Sequence, residues 1–215
     1  MKCRFFTAGI SLLPLAAFAG CSNTVTTFQP PSGSPRSYVK QVPRSKDVVW
    51  NDAVAALGQR FFVINNMDKA SGLINVSYSG DPTRFVDCGR FTVENTGPGA
   101  KTQTIDGAAA DAVYEVMVPR PPYGIRGPVL VRRQMSLEGR VNVIFEAVDA
   151  ESTRVTTATR YVLTRRISPS NAAPHSDNAA FNGNEKGYFP QLGTSQRLEC
   201  VATGTLEDSI LSVIK

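Results

Sequence analysis

The stretch VRRQMSLEGRVNVIFEA, residues 131–147, decides the fold. Val131, Met135, Leu137, Val141, Val143, Phe145 and Ala147 occupy odd positions, and Arg132, Gln134, Ser136, Glu138, Arg140, Asn142 and Glu146 occupy even ones. Arg133, Gly139 and Ile144 are the exceptions. In a strand, successive side chains point to opposite faces, so a period of two held this long predicts one long strand with a dry face and a wet face. After a turn at residues 149–152, residues 154–167 return with Val155, Tyr161 and Leu163 on the dry side. Together they predict a long antiparallel hairpin.

Upstream of this hairpin the period changes. Ser45 is placed to cap a helix, with Asp47 in its first turn, where the helix dipole favours negative charge. Trp50, Val54 and Leu57 share one face, widened by Val49, Ala53 and Ala56, and Gly58 is a natural stop. Residues 61–64 (Phe-Phe-Val-Ile) read as a buried strand, residues 65–72 as a turn, and residues 73–79 as a strand placing Ile74, Val76 and Tyr78 on one face. Shorter strands are expected at residues 38–42, 85–94 and 112–118, with a loop at 95–107.

Downstream, residues 168–196 are rich in Asn, Ser, Pro, Gly and Ala and predict a long mobile loop. A last strand at residues 198–202 carries Cys200. Thr205 then caps a short helix whose apolar face is Leu206, Ile210, Leu211 and Ile214. The expected fold is therefore α+β: an antiparallel sheet with a long hairpin, covered by an N-terminal and a short C-terminal amphipathic helix, in a single domain over residues 37–215.

The N-terminus predicts export. Lys2 and Arg4 precede an apolar stretch running from Phe5 to Phe18, too short to cross a bilayer comfortably, and Ala19-Gly20 are small residues before a cut. Phe18-Ala19-Gly20-Cys21 resembles the lipobox of bacterial lipoproteins. That resemblance implies removal of residues 1–20 and acylation of the Cys21 sulfur and new amino group. Several chains together hold a protein stably at a membrane. Ser22, where an Asp often marks inner-membrane retention in that family, leans toward the periplasmic face of the outer membrane. Residues 21–36, with Pro30, Pro31, Ser32, Gly33, Ser34 and Pro35, have the composition of a flexible tether.

Of four cysteines, Cys3 leaves with the signal and Cys21 is taken by lipid. The remaining Cys88 and Cys200 predict a disulfide in an oxidising compartment. A metal site is not expected, since neither has further His or Cys ligands nearby. The formal charge of +5 includes Lys2 and Arg4 of the segment to be removed, leaving too small an excess to imply nucleic acid.

No catalytic constellation is legible, no cofactor is implied, and no enzyme is expected. His175 is the only histidine and lacks an orienting partner in the sequence. Asp68, Asp81 and Asp87 lie in or beside turns, where their side chains ordinarily bond the local backbone. Residues 97–102 (GPGAKT) lack the spacing of a phosphate loop. Arg132, Arg140, Arg154, Arg160 and Arg166 form a stripe on the hairpin's wet face, either a binding surface for acidic groups or a solvated face balanced by Glu138 and Glu146. Trp50, Phe61 and Phe62 read as core, or as the lining of a cavity between helix and sheet.

Val48-Val49-Trp50 through Leu57, Phe61-Phe62-Val63-Ile64, Asp68, Gly72 and Ile74 resemble the helix-plus-hairpin start of BamC-type lipoprotein domains over residues 48–74. Those domains have a helix-grip fold and serve the outer-membrane β-barrel assembly machinery. The resemblance implies a lipid-anchored accessory or assembly factor that binds other envelope proteins. The alternative is a module holding a lipid or other apolar molecule between helix and sheet.

Overall fold

The computed structural model describes residues 23–33, 38–97, 99–120, 125–189 and 197–215. The signal segment and Cys21 lie outside them, as do residues 34–36 of the expected tether and 190–196 of the expected loop.

The long hairpin is present. β9 (Ile125–Asp149) and β10 (Ser152–Pro169) pair antiparallel from Val131 opposite Pro169 to Asp149 opposite Ser152. Odd positions from Val129 to Phe145 and from Thr153 to Ile167 are buried, whereas Arg132, Arg140, Arg154, Arg160 and Arg166 are exposed. Each strand is too long for a single neighbour on its other side. β9 takes β8 (Asp111–Arg120) along its first half and β4 (Leu73–Gly80) along its second, with β3 (Val63–Asp68) beyond β4. β10 takes β2 (Tyr38–Val42) near the turn and β11 (His175–Asn182) farther away. The result is one seven-stranded sheet whose two halves have different neighbours.

Two further sheets complete the fold: β1 (Asn23–Gln29), β6 (Arg90–Thr96) and β7 (Lys101–Asp106) form one, and β12 (Lys186–Phe189), β13 (Leu198–Ala202) and β5 (Val86–Asp87) the other. Among the described residues, strands make up 62% and helices 12%, so the expected α+β fold, a sheet covered by two amphipathic helices, is overturned in favour of a mostly β protein with three antiparallel sheets. The extra strands lie in segments whose composition predicts irregular chain. The expected loop at 95–107 is the β6–β7 hairpin, where Thr92 and Thr104 meet across the strands. Part of the expected tether is β1, paired along its length with β6. Much of the expected mobile loop at 168–196 is β11 and β12. These are short strands rich in Thr, Asn and Ser. They carry little apolar alternation, and it is their neighbours that give their backbone groups partners.

The helices are short and lie within the near half. α1 (Lys46–Gly58) buries Val49, Trp50, Ala53 and Leu57, and Trp50 meets Phe145 of β9 edge-on at 5.3 Å. Ser45 sits at its N-cap but makes no side-chain cap bond. α2 (Thr205–Leu211) begins after Gly204, one residue before the expected cap Thr205. It reaches the hairpin at Gly139, where a Cβ would stand 2.8 Å from Leu206. Lys40 of β2 donates to the carbonyls of Leu211 and Ile214 at 3.0 and 2.7 Å, supplying the cation that the end of α2 lacks.

Cys88 and Cys200 form a disulfide across 112 positions of sequence. It ties β13 to the segment between β5 and β6, and both cysteines are fully buried. Closing so long a loop removes roughly 4–5 kcal/mol of freedom from the unfolded chain.

Candidate functional site

The far half of the hairpin is covered by the small β1–β6–β7 sheet rather than by helices. That sheet meets the outer edge of β8 through side chains. Thr24 Oγ1 accepts from the Met117 amide at 2.6 Å and donates to Asn95 Oδ1 at 2.6 Å, while Asn95 Nδ2 donates to the Glu115 carbonyl at 2.8 Å. Gln103 Oε1 accepts from the Glu115 amide at 3.3 Å. Polar side chains thus satisfy part of an edge that a strand would otherwise cover.

The polar seam does not bring the apolar faces fully together. Phe91, Val93 and Ile105 form one small cluster, and Val129, Val131 and Ile167 form another. Tyr114 and Val116 of β8 pack against both. Between the two clusters lies a cavity of about 290 Å³ with largely apolar walls, at the lower edge of the roughly 300–1,000 Å³ usual for small-molecule pockets. Burial pushes the Tyr114 hydroxyl above its ordinary pKa.

Two arginines line this cavity. Both belong to the inward-facing rows of the hairpin, where the alternation reserves places for apolar residues. Arg165 is 3% exposed and is held by Asp177, with Nε donating to Oδ1 at 2.9 Å and Nη2 to Oδ2 at 2.5 Å. Its guanidinium also lies 4.6 Å from the centre of the Phe189 ring. Arg133 is 2% exposed and makes no ion pair among the described residues. Nη1 donates to the Gly107 carbonyl at 2.9 Å, Nη2 to the Asp106 carbonyl at 2.6 Å, and Nε is buried without a hydrogen-bond partner. Phe91 presents its ring 4.9 Å from the guanidinium carbon. The Asp106 carboxylate is turned to the Ala108 amide instead. Burial, reinforced by the positive charge of Arg165, lowers the Arg133 pKa to about 10, so the group stays cationic at neutral pH. Gly107 must be glycine for this arrangement, because a Cβ there would collide with the Cys88 carbonyl.

A second buried polar group lies in the near half. Glu207 of α2 is buried against the Tyr161 hydroxyl, which stands 2.9 and 2.8 Å from its two oxygens. Burial first, and the Glu207 charge second, push the Tyr161 pKa well up. Thr157 and Thr159 lie nearby, and with Tyr38, Asn182 and Gly183 they border a more polar cleft of about 640 Å³.

The residues singled out from sequence are scattered. Asp68 accepts from the Ala70 and Ser71 amides, Asp81 from the Thr83 amide and hydroxyl, and Asp87 from the Gly89 and Ser32 amides. Asp68 and Asp81 serve their own turns, and Asp87 also ties in the N-terminal segment at Ser32. His175 opens β11, exposed, with Nε2 3.9 Å from Asp177 Oδ2. Arg132 grips Asp111 with two bonds of 2.9 and 2.6 Å, Arg140 pairs with Glu138, and Arg154 lies 3.7 Å from Glu146. Arg160 donates to Asn182 at 3.3 Å, and Arg166 makes no ion pair among the described residues. Three of the five arginines are therefore paired with carboxylates. Trp50 and Phe62 are core residues and Phe61 is exposed, so the apolar cavity lies between two sheets and not beneath α1. Arg133 was the one visible signal for this site, a cation interrupting an apolar row. Arg165 falls on the same inward row of the return strand.

Compared with protein-family models, with curated proteins and with solved structures, the chain matches none.

Proposed function

We propose that this protein is a lipid-anchored module of the bacterial envelope, held at the periplasmic face of the outer membrane through Cys21, that binds a small, largely apolar molecule. The cavity between the Phe91 and Ile167 clusters carries this reading. Well-packed interiors close such gaps, because an empty apolar space forfeits contacts on every wall. Here the polar seam along β8 holds the walls apart. The disulfide between Cys88 and Cys200 accords with folding outside the cytosol. The anchor reading rests on the Phe18–Cys21 pattern and is tested by metabolic labelling with palmitate. Labelling is expected in the native protein and lost in Cys21→Ser. Labelling that survives the substitution refutes it. The cavity reading is tested by native mass spectrometry of Cys21→Ser protein purified from the envelope. A non-covalent adduct of constant mass is expected. A clean apo mass, with no uptake of an environment-sensitive apolar dye, refutes it.

A second reading, an accessory factor that docks on other envelope proteins, is favoured by one observation. β3 is an edge strand whose Val63 and Met67 are 61% and 50% exposed, with Phe61 exposed just before it. Bare edges with apolar side chains accept partner strands. A photo-crosslinker at Met67 that captures no reproducible envelope protein in living cells would count against this reading.

A further inference from the structure

We infer that the ligand of the inter-sheet cavity is a single-chain amphiphile with an anionic head, a carboxylate or a phosphate, whose charge is met by Arg133. The inference rests on the cavity reading above and adds the chemistry of the occupant. Its starting point is the contrast between the two arginines. Arg165 is matched by a bidentate carboxylate, so the pair brings little net charge to the wall. Arg133 is as deeply buried, yet among the described residues its acceptors are two backbone carbonyls. One donor, Nε, is buried with no acceptor among the described residues. A guanidinium offers five donors in a rigid fork that matches carboxylate and phosphate oxygens. Buried charges are ordinarily paired, and a guanidinium without a bonded carboxylate at a cavity wall is chemically suited to an anionic group.

The walls define the rest of the molecule. Val93, Val116, Val129, Val131 and Ile167 offer only aliphatic surface, which suits a hydrocarbon chain. About 290 Å³ accommodates one short chain and not a diacyl lipid. Arg133 also ties the β7–β8 turn to β9, which is a structural role. That role is compatible with a headgroup contact and is separated from it by the ligand series below.

The test uses the whole chain carrying Cys21→Ser and three probes of equal chain length: decanoate, decyl phosphate and decanol. Affinities are measured by calorimetry below the micellar concentrations. Expected is binding of decanoate or decyl phosphate at least about tenfold tighter than decanol, the size of a hydrogen bond to a charged group. Which anion leads identifies the head as carboxylate or phosphate. Arg133→Met is expected to abolish the preference, and Arg133→Lys to retain part of it. If Arg133→Met fails to fold, the preference of the unaltered site decides. Equal affinity for all three probes, or a preference that survives in folded Arg133→Met, overturns the anionic-head inference and leaves the cavity reading standing. Failure of all three probes to bind overturns the cavity reading itself.

Discussion

The two halves of the long hairpin are made of the same alternating sequence and end in opposite kinds of interior. Near its turn, Val141, Val143, Phe145, Val155 and Tyr161 are fully or almost fully buried beneath α1 and α2 in one continuous core. Farther away, Val129, Val131 and Ile167 face another sheet across a cavity, and the inward rows include Arg133 and Arg165. A helix can settle against a sheet and fill the space with side chains. A second sheet held by hydrogen bonds along the β8 edge cannot approach further without breaking them. The lesson is that a regular strand pattern fixes which side is dry, while the covering layer decides whether that side is solid or hollow.

Four perturbations break or sharpen this contrast. The largest effect is expected where the disulfide ties β13 to the segment leading into the small sheet. Cys88→Ser with Cys200→Ser should lower unfolding free energy by about 4–5 kcal/mol in urea titrations, and a loss below about 1 kcal/mol would show that packing alone positions that sheet. Next come the arginines. Arg165→Met strands the part-buried Asp177 carboxylate and should cost about 2–4 kcal/mol, whereas Arg133→Met removes a charge with no bonded carboxylate among the described residues and should fall within about 1–2 kcal/mol of the parent. Equal penalties in thermal or chemical denaturation would erase the distinction drawn between them.

A smaller effect separates the solid half from the hollow one. Val143→Leu adds volume to a closed core and should destabilise by about 1–3 kcal/mol, while Val131→Leu enters the cavity wall, should be near neutral, and should weaken ligand uptake. Identical penalties at both positions would mean that the far half is as tightly packed as the near one. The smallest effect is acid sensitivity at the surface. Hydrogen bonds from Arg132 hold the Asp111 carboxyl below its ordinary pKa, and those from Ser71 do the same for Asp68. The folded state therefore binds these protons less readily than the unfolded one. Their contribution is present above the ordinary carboxylate range and fades as pH falls through the lowered values. Asp111→Asn and Asp68→Asn should flatten the acid limb of a stability–pH curve slightly, and an unchanged limb would refute the assignment.

Much of the near half was legible beforehand. The period of two along residues 131–147 predicted β9, and the period change near Trp50 predicted α1. Cysteine parity predicted the bridge between Cys88 and Cys200. The small sheet was not legible, because β1, β6 and β7 contain Thr, Asn and Gln whose value lies in bonds to strands distant along the chain. The cavity was still less so. Arg133 was visible as an exception to the alternation, but nothing adjacent in sequence reveals that Asp177 grips Arg165 while no carboxylate among the described residues bonds to Arg133.

By itself the sequence determined the face each residue of the hairpin presents, since the side-chain period of a strand is a local property of the backbone. It also determined that two thiols were left to pair. Only the tertiary structure decided that helices would close one half and a sheet the other, and that a cation would be left facing a hollow. Those outcomes depend on contacts between segments far apart in the chain, and no local pattern encodes their distance.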